Sequence, residues 1–166
     1  MIRSREGEAL TALILETFRL NGALLAAGNK LTKPMGMTSA RWQVIGAIDR
    51  SRHSLSVAQI ARRMGLARQG VQRIVNDLVE LGFVVLEENI DHKRSPLVSI
   101  SDKGAGVMSE IDKAQAAWVN ELSDGFSQGQ IVAALELLET VRERCEKTIQ
   151  IDEPNENKSP SAAIRS

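Results

Sequence analysis

The stretch MGLARQGVQRIVNDLVELGFVVLEENIDHKRSPLVSISDKG, Met64 to Gly104, decides the fold. Gly65 stands where a helix C-terminus wants a left-handed residue. Only Leu66 and Ala67 separate it from a second helical pattern, over about 68–81, that stops at Gly82. Upstream, Ser56-Val57-Ala58-Gln59 has the S-x-x-Q form of a capping box, which opens a helix running to Met64 with Val57, Ile60, Ala61 and Met64 inward. Two short helices joined by so tight a glycine-containing turn are a helix-turn-helix signature. Downstream, Phe83-Val84-Val85-Leu86 is apolar and β-branched, and Leu97 to Ser101 alternates apolar and polar. Between them lies a polar, charged segment, Asn89 to Pro96. Helix, tight turn, helix, charged hairpin is the order of a winged helix.

The second of these helices divides cleanly at 100° per residue. Val71, Ile74, Val75 and Leu78 share one face, and Gln69, Gln72, Arg73 and Asn76 share the other, with Arg68 leading in. Arg can fork onto guanine and Gln or Asn onto adenine, so the polar face carries the side chains that read base edges. Its flank bears one acid, Asp77. In the hairpin, Lys93 and Arg94 sit near the tip, where a ribbon can carry a cation into a narrow, electronegative minor groove. His92 is placed to touch phosphate. Asp91 has the wrong charge for phosphate and is expected to pair with Arg94 or cap the loop, holding the wing in shape.

Outward from this centre the chain is helical. Residues 6–30 carry Leu10, Ile14, Phe18 and Leu25 on one stripe, broken by Lys33-Pro34-Met35-Gly36. Thr38 or Ser39 caps a helix over 39–50 with Trp42, Val44, Ile45 and Ile48. After Asp102, Met108, Ile111, Trp118 and Leu122 lie near one stripe, and a last helix over 127–149 carries Ile131, Leu135, Leu138, Val141, Cys145 and Ile149. The organisation is therefore an N-terminal helix at 6–33, a winged helix-turn-helix at 38–101, C-terminal helices at 102–150, and a polar, Pro-containing tail at 151–166 expected to be disordered. The fold class is mainly α with a small β-hairpin wing (α+β). The helices at 6–30 and 104–149 bear more apolar surface than a small winged domain can cover, and a homodimer would bury it.

Composition agrees. Hydrophobic residues are 43%, charged residues 25% and aromatics only 3%, which suits helices better than a β-sandwich. The net charge of zero hides a polarity: residues 41–103 hold ten Lys/Arg against seven Asp/Glu, while 104–166 hold six against eleven. Arg62, Arg63, Arg68 and Arg73 fall in a stretch without an acid, and DNA binding needs such a local basic face. No unbroken apolar run approaches the roughly 20 residues of a bilayer span, and the first ten residues lack the form of a secretory signal. One cysteine excludes an intramolecular disulfide framework and fits a cytoplasmic protein with no membrane partner.

Other chemistry finds little support. His53 and His92 have no Cys or carboxylate at metal spacing, so neither a metal nor another cofactor is expected. Gly104-Ala105-Gly106 lacks the third glycine of a dinucleotide loop. Cys145 reads as a packed or idle thiol. Trp42 and Trp118 read as core or interface anchors, either of which could line a ligand pocket. No nucleophile stands beside a base, so the chain is not read as an enzyme. A winged-helix module for protein contacts, without specific DNA binding, stays open beside the DNA-binding reading.

Met64 to Gly104 resembles the signature region of the MarR (multiple-antibiotic-resistance regulator) family of bacterial transcription factors. The shared elements are a recognition helix ending in L-x-x-x-G-[FLY]-[VI], an acid–basic wing matched by Asp91, Lys93 and Arg94, and a closing [ST]-x-x-G matched by Ser101 and Gly104. The order of elements agrees over about 6–149. Two departures stand out: Ala67 replaces the frequent N-cap Ser, so that cap must come from elsewhere, and the wing is of a DHKR form, with Arg94 taken as the minor-groove arginine. The resemblance implies a homodimer with intertwined terminal helices on pseudo-palindromic double-stranded operators. It implies a repressor of adjacent genes, released by a small aromatic or hydrophobic ligand.

Overall fold

The local signals around Ser56 and Gly65 form as the residues dictate. Ser56 Oγ accepts from Gln59 N–H while Gln59 Oε1 accepts from Ser56 N–H, a reciprocal capping box. Gly65 ends the helix with φ +64°, a left-handed geometry that any Cβ would strain. The computed structural model describes residues 2–152, and the side chains of 2–148. In chain order it shows α1 (Arg5–Thr32), a 3-10 turn (Lys33–Met35), α2 (Ser39–Asp49), β1 (Leu55–Ser56), α3 (Val57–Met64) and α4 (Arg68–Glu80). Strands β2 (Val84–Glu87) and β3 (Leu97–Ile100) follow, then α5 (Asp102–Leu122) and α6 (Gln128–Asp152). Most of the expected tail at 151–166 lies outside the described residues, as does the Ile149 side chain; 151 and 152 continue α6.

The expected two-stranded hairpin is a three-stranded antiparallel sheet in the order β1-β3-β2. Leu55 pairs with Val98, and Val84 with Ile100. A two-residue strand has no period to read, so β1 exists only through its pairing with β3. The chain divides into two compact units, residues 1–120 and 121–166. The first holds the core. Val44, Ile45 and Ile48 of α2, Ile60 of α3, and Val71, Val75 and Leu78 of α4 pack with Val84 and Val98 of the sheet and Met108 and Ile111 of α5. Each fully buried aliphatic here contributes about 1.5–3 kcal/mol relative to exposure. Ile74, expected inward, is only half-buried at the margin of this core.

α5 is locked to the end of α4 by the closing S-x-x-G. Ser101 Oγ donates to Gly82 O at 2.7 Å, and Gly104 N–H donates to Ser101 Oγ at 3.0 Å. Lys103 Nζ caps α4 through Leu81 O at 2.7 Å and lies 5.0 Å over the Phe83 ring. The α1–α2 corner is as tight: Asn29 Oδ1 accepts from Ser39 N–H at 2.8 Å, and the buried Thr32 hydroxyl bridges Gly28 O and Met37 O.

Elsewhere α1 is unburied. Of its 28 residues only Gly28 and Thr32 are buried, while Leu10, Ile14 and Phe18 of the apolar stripe stand exposed, Phe18 at 70%. Within residues 5–35 an 18-residue stretch reaches a mean hydropathy of 1.3, enough to cross a membrane by length and composition. That departs from the expectation of no such segment, which rested on the lack of an unbroken apolar run: Glu16, Arg19 and Asn21 interrupt this one, yet its average stays apolar. In the second unit, Ser127 and Gln130 form another capping box at the start of α6. Along that helix Ile131, Leu135 and Leu138 are exposed, Val141 is half-buried and Cys145 is exposed.

Candidate nucleic-acid interface

On α4 the buried Val71, Val75 and Leu78 fix the helix's rotation, and that rotation turns Arg68, Gln69, Gln72, Arg73 and Asn76 to solvent. The four expected reading residues therefore share one exposed surface, with Arg68 exposed at its start. Gln72 Nε2 donates to Asn76 Oδ1 at 2.9 Å, one turn apart, so these two amides hold each other's geometry in the free protein. Arg68 and Arg73 make no ion pair among the described residues. The N-cap expected from elsewhere is not found among the described residues: Ala67 leads into α4 with no side-chain cap there. The first-turn N–H groups are consequently open donors beside Arg68, the arrangement a helix offers to a phosphate.

In the wing, His92, Lys93 and Arg94 are exposed, and neither Lys93 nor Arg94 has an ion pair among the described residues. The loop's organiser is Asn89, only 9% exposed. Its Oδ1 accepts from the N–H groups of Asp91 and His92, both at 3.2 Å, and its Nδ2 donates to Ser95 O at 2.9 Å. Asp91 joins this network through its backbone; its carboxylate makes no ion pair with Arg94 among the described residues. Asp91 and His92 instead border a hollow of about 440 Å³ that also meets Ser56 and Gln59 at the start of α3 and Arg62 in its last turn. Lys93 and Arg94 are not among its lining.

Two further features escaped sequence reasoning. Glu87 ties the sheet together at the wing's root: its carboxylate accepts from Ser99 Oγ on β3 and, at 2.8 Å, from Ser54 Oγ beyond it. Those hydroxyls hold the Glu87 carboxyl below its usual range, Ser99 most. Ile90, next to the loop cap, is 89% exposed at the wing tip, an apolar side chain among cations. Neither has a periodic signal; Asn89 and Glu87 act across the hairpin, where only the fold brings partners together. The histidines and the cysteine gather into no metal-binding cluster among the described residues.

An exposed Arg/Gln/Asn face, an uncapped helix start and a basic loop held by Asn89 on one scaffold are suited to a duplex groove. The comparisons agree. The family model described as "MarR family" matches residues 35–95, from the α1–α2 corner to the wing. An uncharacterized protein of Mycobacterium tuberculosis is 35% identical over 131 residues, covering 79% of this chain and 90% of its own. The transcriptional activatory protein BadR of Rhodopseudomonas palustris is 23% identical over 134 residues, 79% of this chain and 77% of BadR. Among solved structures, a mutant of MarR from E. coli complexed with operator DNA shares the fold with a TM-score of 0.71 at 19% identity, over 84% of this chain and 99% of that one. CouR from Rhodococcus jostii, bound to p-coumaroyl-CoA, gives a TM-score of 0.67 at 20% identity, over 74% and 86%. The chain belongs to the MarR family of DNA-binding transcription regulators.

Proposed function

We propose that the chain acts in the cytoplasm as a homodimeric repressor on a pseudo-palindromic operator, with α4 in successive major grooves and the wing in the flanking minor grooves. The observation that carries this reading is the exposed Arg/Gln/Asn face of α4, set on the same unit as the rigid basic loop at 91–94. Gln69, Gln72, Arg73 and Asn76 read bases, while Arg68, His92, Lys93 and Arg94 meet backbone or minor groove. Asp91 belongs to the frame that presents them.

The second copy is supported by the unburied stripes of α1 and α6, each too apolar to leave in water. A bilayer is a poorer cover for α1. Glu16 and Arg19, an exposed pair at 3.2 Å, would have to enter hydrocarbon, at about 2.5–3.5 kcal/mol for each charge. In a two-fold dimer the reading helices repeat across the axis, which matches half-sites roughly 34 Å apart.

A small aromatic or hydrophobic ligand that releases DNA completes the reading. Its support is a hollow of about 360 Å³ between α2 and α5, walled by Trp42 and Met108, with Gln43, Arg50, Asp112 and Gln115 as polar groups. The ligand in CouR is an aromatic acyl thioester. BadR is named an activator, which favours a second reading in which operator occupancy raises transcription. Footprinting on genomic fragments selected by the protein, with light scattering on the same sample, tests the proposal. The expected result is a mass near twice 18.1 kDa and two protected half-sites about one turn apart. A monomer with a single protected half-site would overturn it, and a promoter reporter assigns the sign of regulation.

A further inference from the structure

α4 carries two acids, the exposed Glu80 at its last residue and Asp77 on the flank of its reading face. Asp77 stands one turn beyond Arg73, and with α4 in a groove it would lie toward the phosphates that border that groove. An unpaired carboxylate there opposes binding at every sequence. In the folded chain it is paired: Arg41 Nη2 reaches Asp77 Oδ2 at 2.9 Å across 36 positions of sequence. The Arg41 side chain is 27% exposed and that of Asp77 43%, so the pair lies at the edge of the α2–α4 contact. Arg41 is itself well placed. Its backbone N–H donates to the N-cap oxygen of Thr38, and the start of α2 is tied to α1 by Asn29 and Ser39.

We propose that Arg41 is a positioning residue of the DNA interface. Through Asp77 it cancels the charge beside the reading face and anchors the second half of α4 to the α1–α2 corner. This deepens the operator-reading proposal and rests on it. The physical reason to expect the effect on DNA rather than on folding is solvation. A half-exposed ion pair contributes little to the stability of a free protein. A duplex laid beside it removes water, strengthens each charge's field and brings phosphates within range of any carboxylate left unpaired.

The test is a double-mutant cycle in the full-length protein, read as affinity for the selected operator and for random DNA at several salt concentrations, with thermal melting of each variant. Arg41→Met leaves Asp77 unpaired and should weaken binding to both DNAs by about tenfold, with a flatter salt dependence. Asp77→Asn frees Arg41 for phosphate and should tighten random DNA more than operator, lowering the specificity ratio several-fold. The double variant should return to within about threefold of wild type. Melting temperatures should move little in all three. Effects in the same direction for both single variants would overturn the positioning role, and so would a double variant that binds operator as weakly as Arg41→Met alone. So would a large fall in melting temperature for Arg41→Met that the double variant shares. If wild type fails to prefer its operator at all, the operator-reading proposal fails first, before this cycle is interpreted.

Discussion

Replacing Gly104 with alanine gives the sharpest test of how the winged unit is closed. A Cβ built there would lie 2.0 Å from Phe83 O and 3.0 Å from Ile100 Cγ2. An ordinary contact begins near 3.4 Å, so the start of α5 must move by at least about 1 Å from the end of α4. The obstacle is a backbone carbonyl, which cannot rotate away. Moving α5 disturbs the hydrogen bonds that Ser101 makes to Phe83 O at 3.1 Å and Gly82 O at 2.7 Å. Overpacking of this kind costs about 1–3 kcal/mol, and weakening two hydrogen bonds adds about 1 kcal/mol each. Alanine's better helix propensity returns about 1 kcal/mol. The net loss is about 2–4 kcal/mol, which for a chain of this length lowers the melting temperature by roughly 5–15 °C. Circular dichroism melts at one fixed protein concentration measure it. Gly106, two residues on, is the control: a Cβ there meets nothing within 4 Å, so Gly106→Ala should hold or raise the melting temperature. If Gly104→Ala melts no lower than Gly106→Ala, the close approach of α5 to Phe83 is wrong.

The remaining predictions concern the wing. Asn89→Ala removes three hydrogen bonds from a nearly buried cap, so hydrogen exchange at 90–95 should rise while the core stays protected; unchanged exchange would dismiss Asn89 as organiser. Because the folded Glu87 carboxyl is held below its ordinary range by Ser99 and Ser54, its stabilisation is present at neutral pH and lost as pH falls through that lowered value. Glu87→Gln should flatten this acid limb of the stability curve, and an identical limb would refute the link. Arg94→Ala should leave melting unchanged and reduce the log-affinity against log-salt slope by about one per protomer. A slope that does not move transfers the phosphate contact elsewhere.

What was legible in the sequence was what neighbouring residues carry by themselves. Ser56 with Gln59, Gly65 and Gly82 are local signals, and they place α3, the turn and α4 to within a residue. The 3.6-residue period separates Val71, Val75 and Leu78 from Gln69, Arg73 and Asn76, so the exposed polar face of α4 could be seen before the fold. What depends on distant pairing could not. β1 is two residues made into a strand by Val98. Asp91 drew the structural role in the wing because its charge suggested a pair, whereas the uncharged Asn89 holds the loop with one amide. Arg41 and Asp77 lie on different helices with no pattern linking them. The stripe on α1 was readable, but Glu16, Arg19 and Asn21 break the apolar run and disguised how apolar its middle is on average.

The central claim is that α4 reads bases, and the direct measurement is the affinity of Gln69→Ala and Arg73→Ala for the selected operator and for random DNA, at one salt concentration. If these side chains contact base edges, each substitution should cost roughly 1–3 kcal/mol on the operator and much less on random sequence, so the specificity ratio falls. Equal losses on both DNAs would contradict the account, because they would make the exposed face of α4 a backbone contact and nothing more.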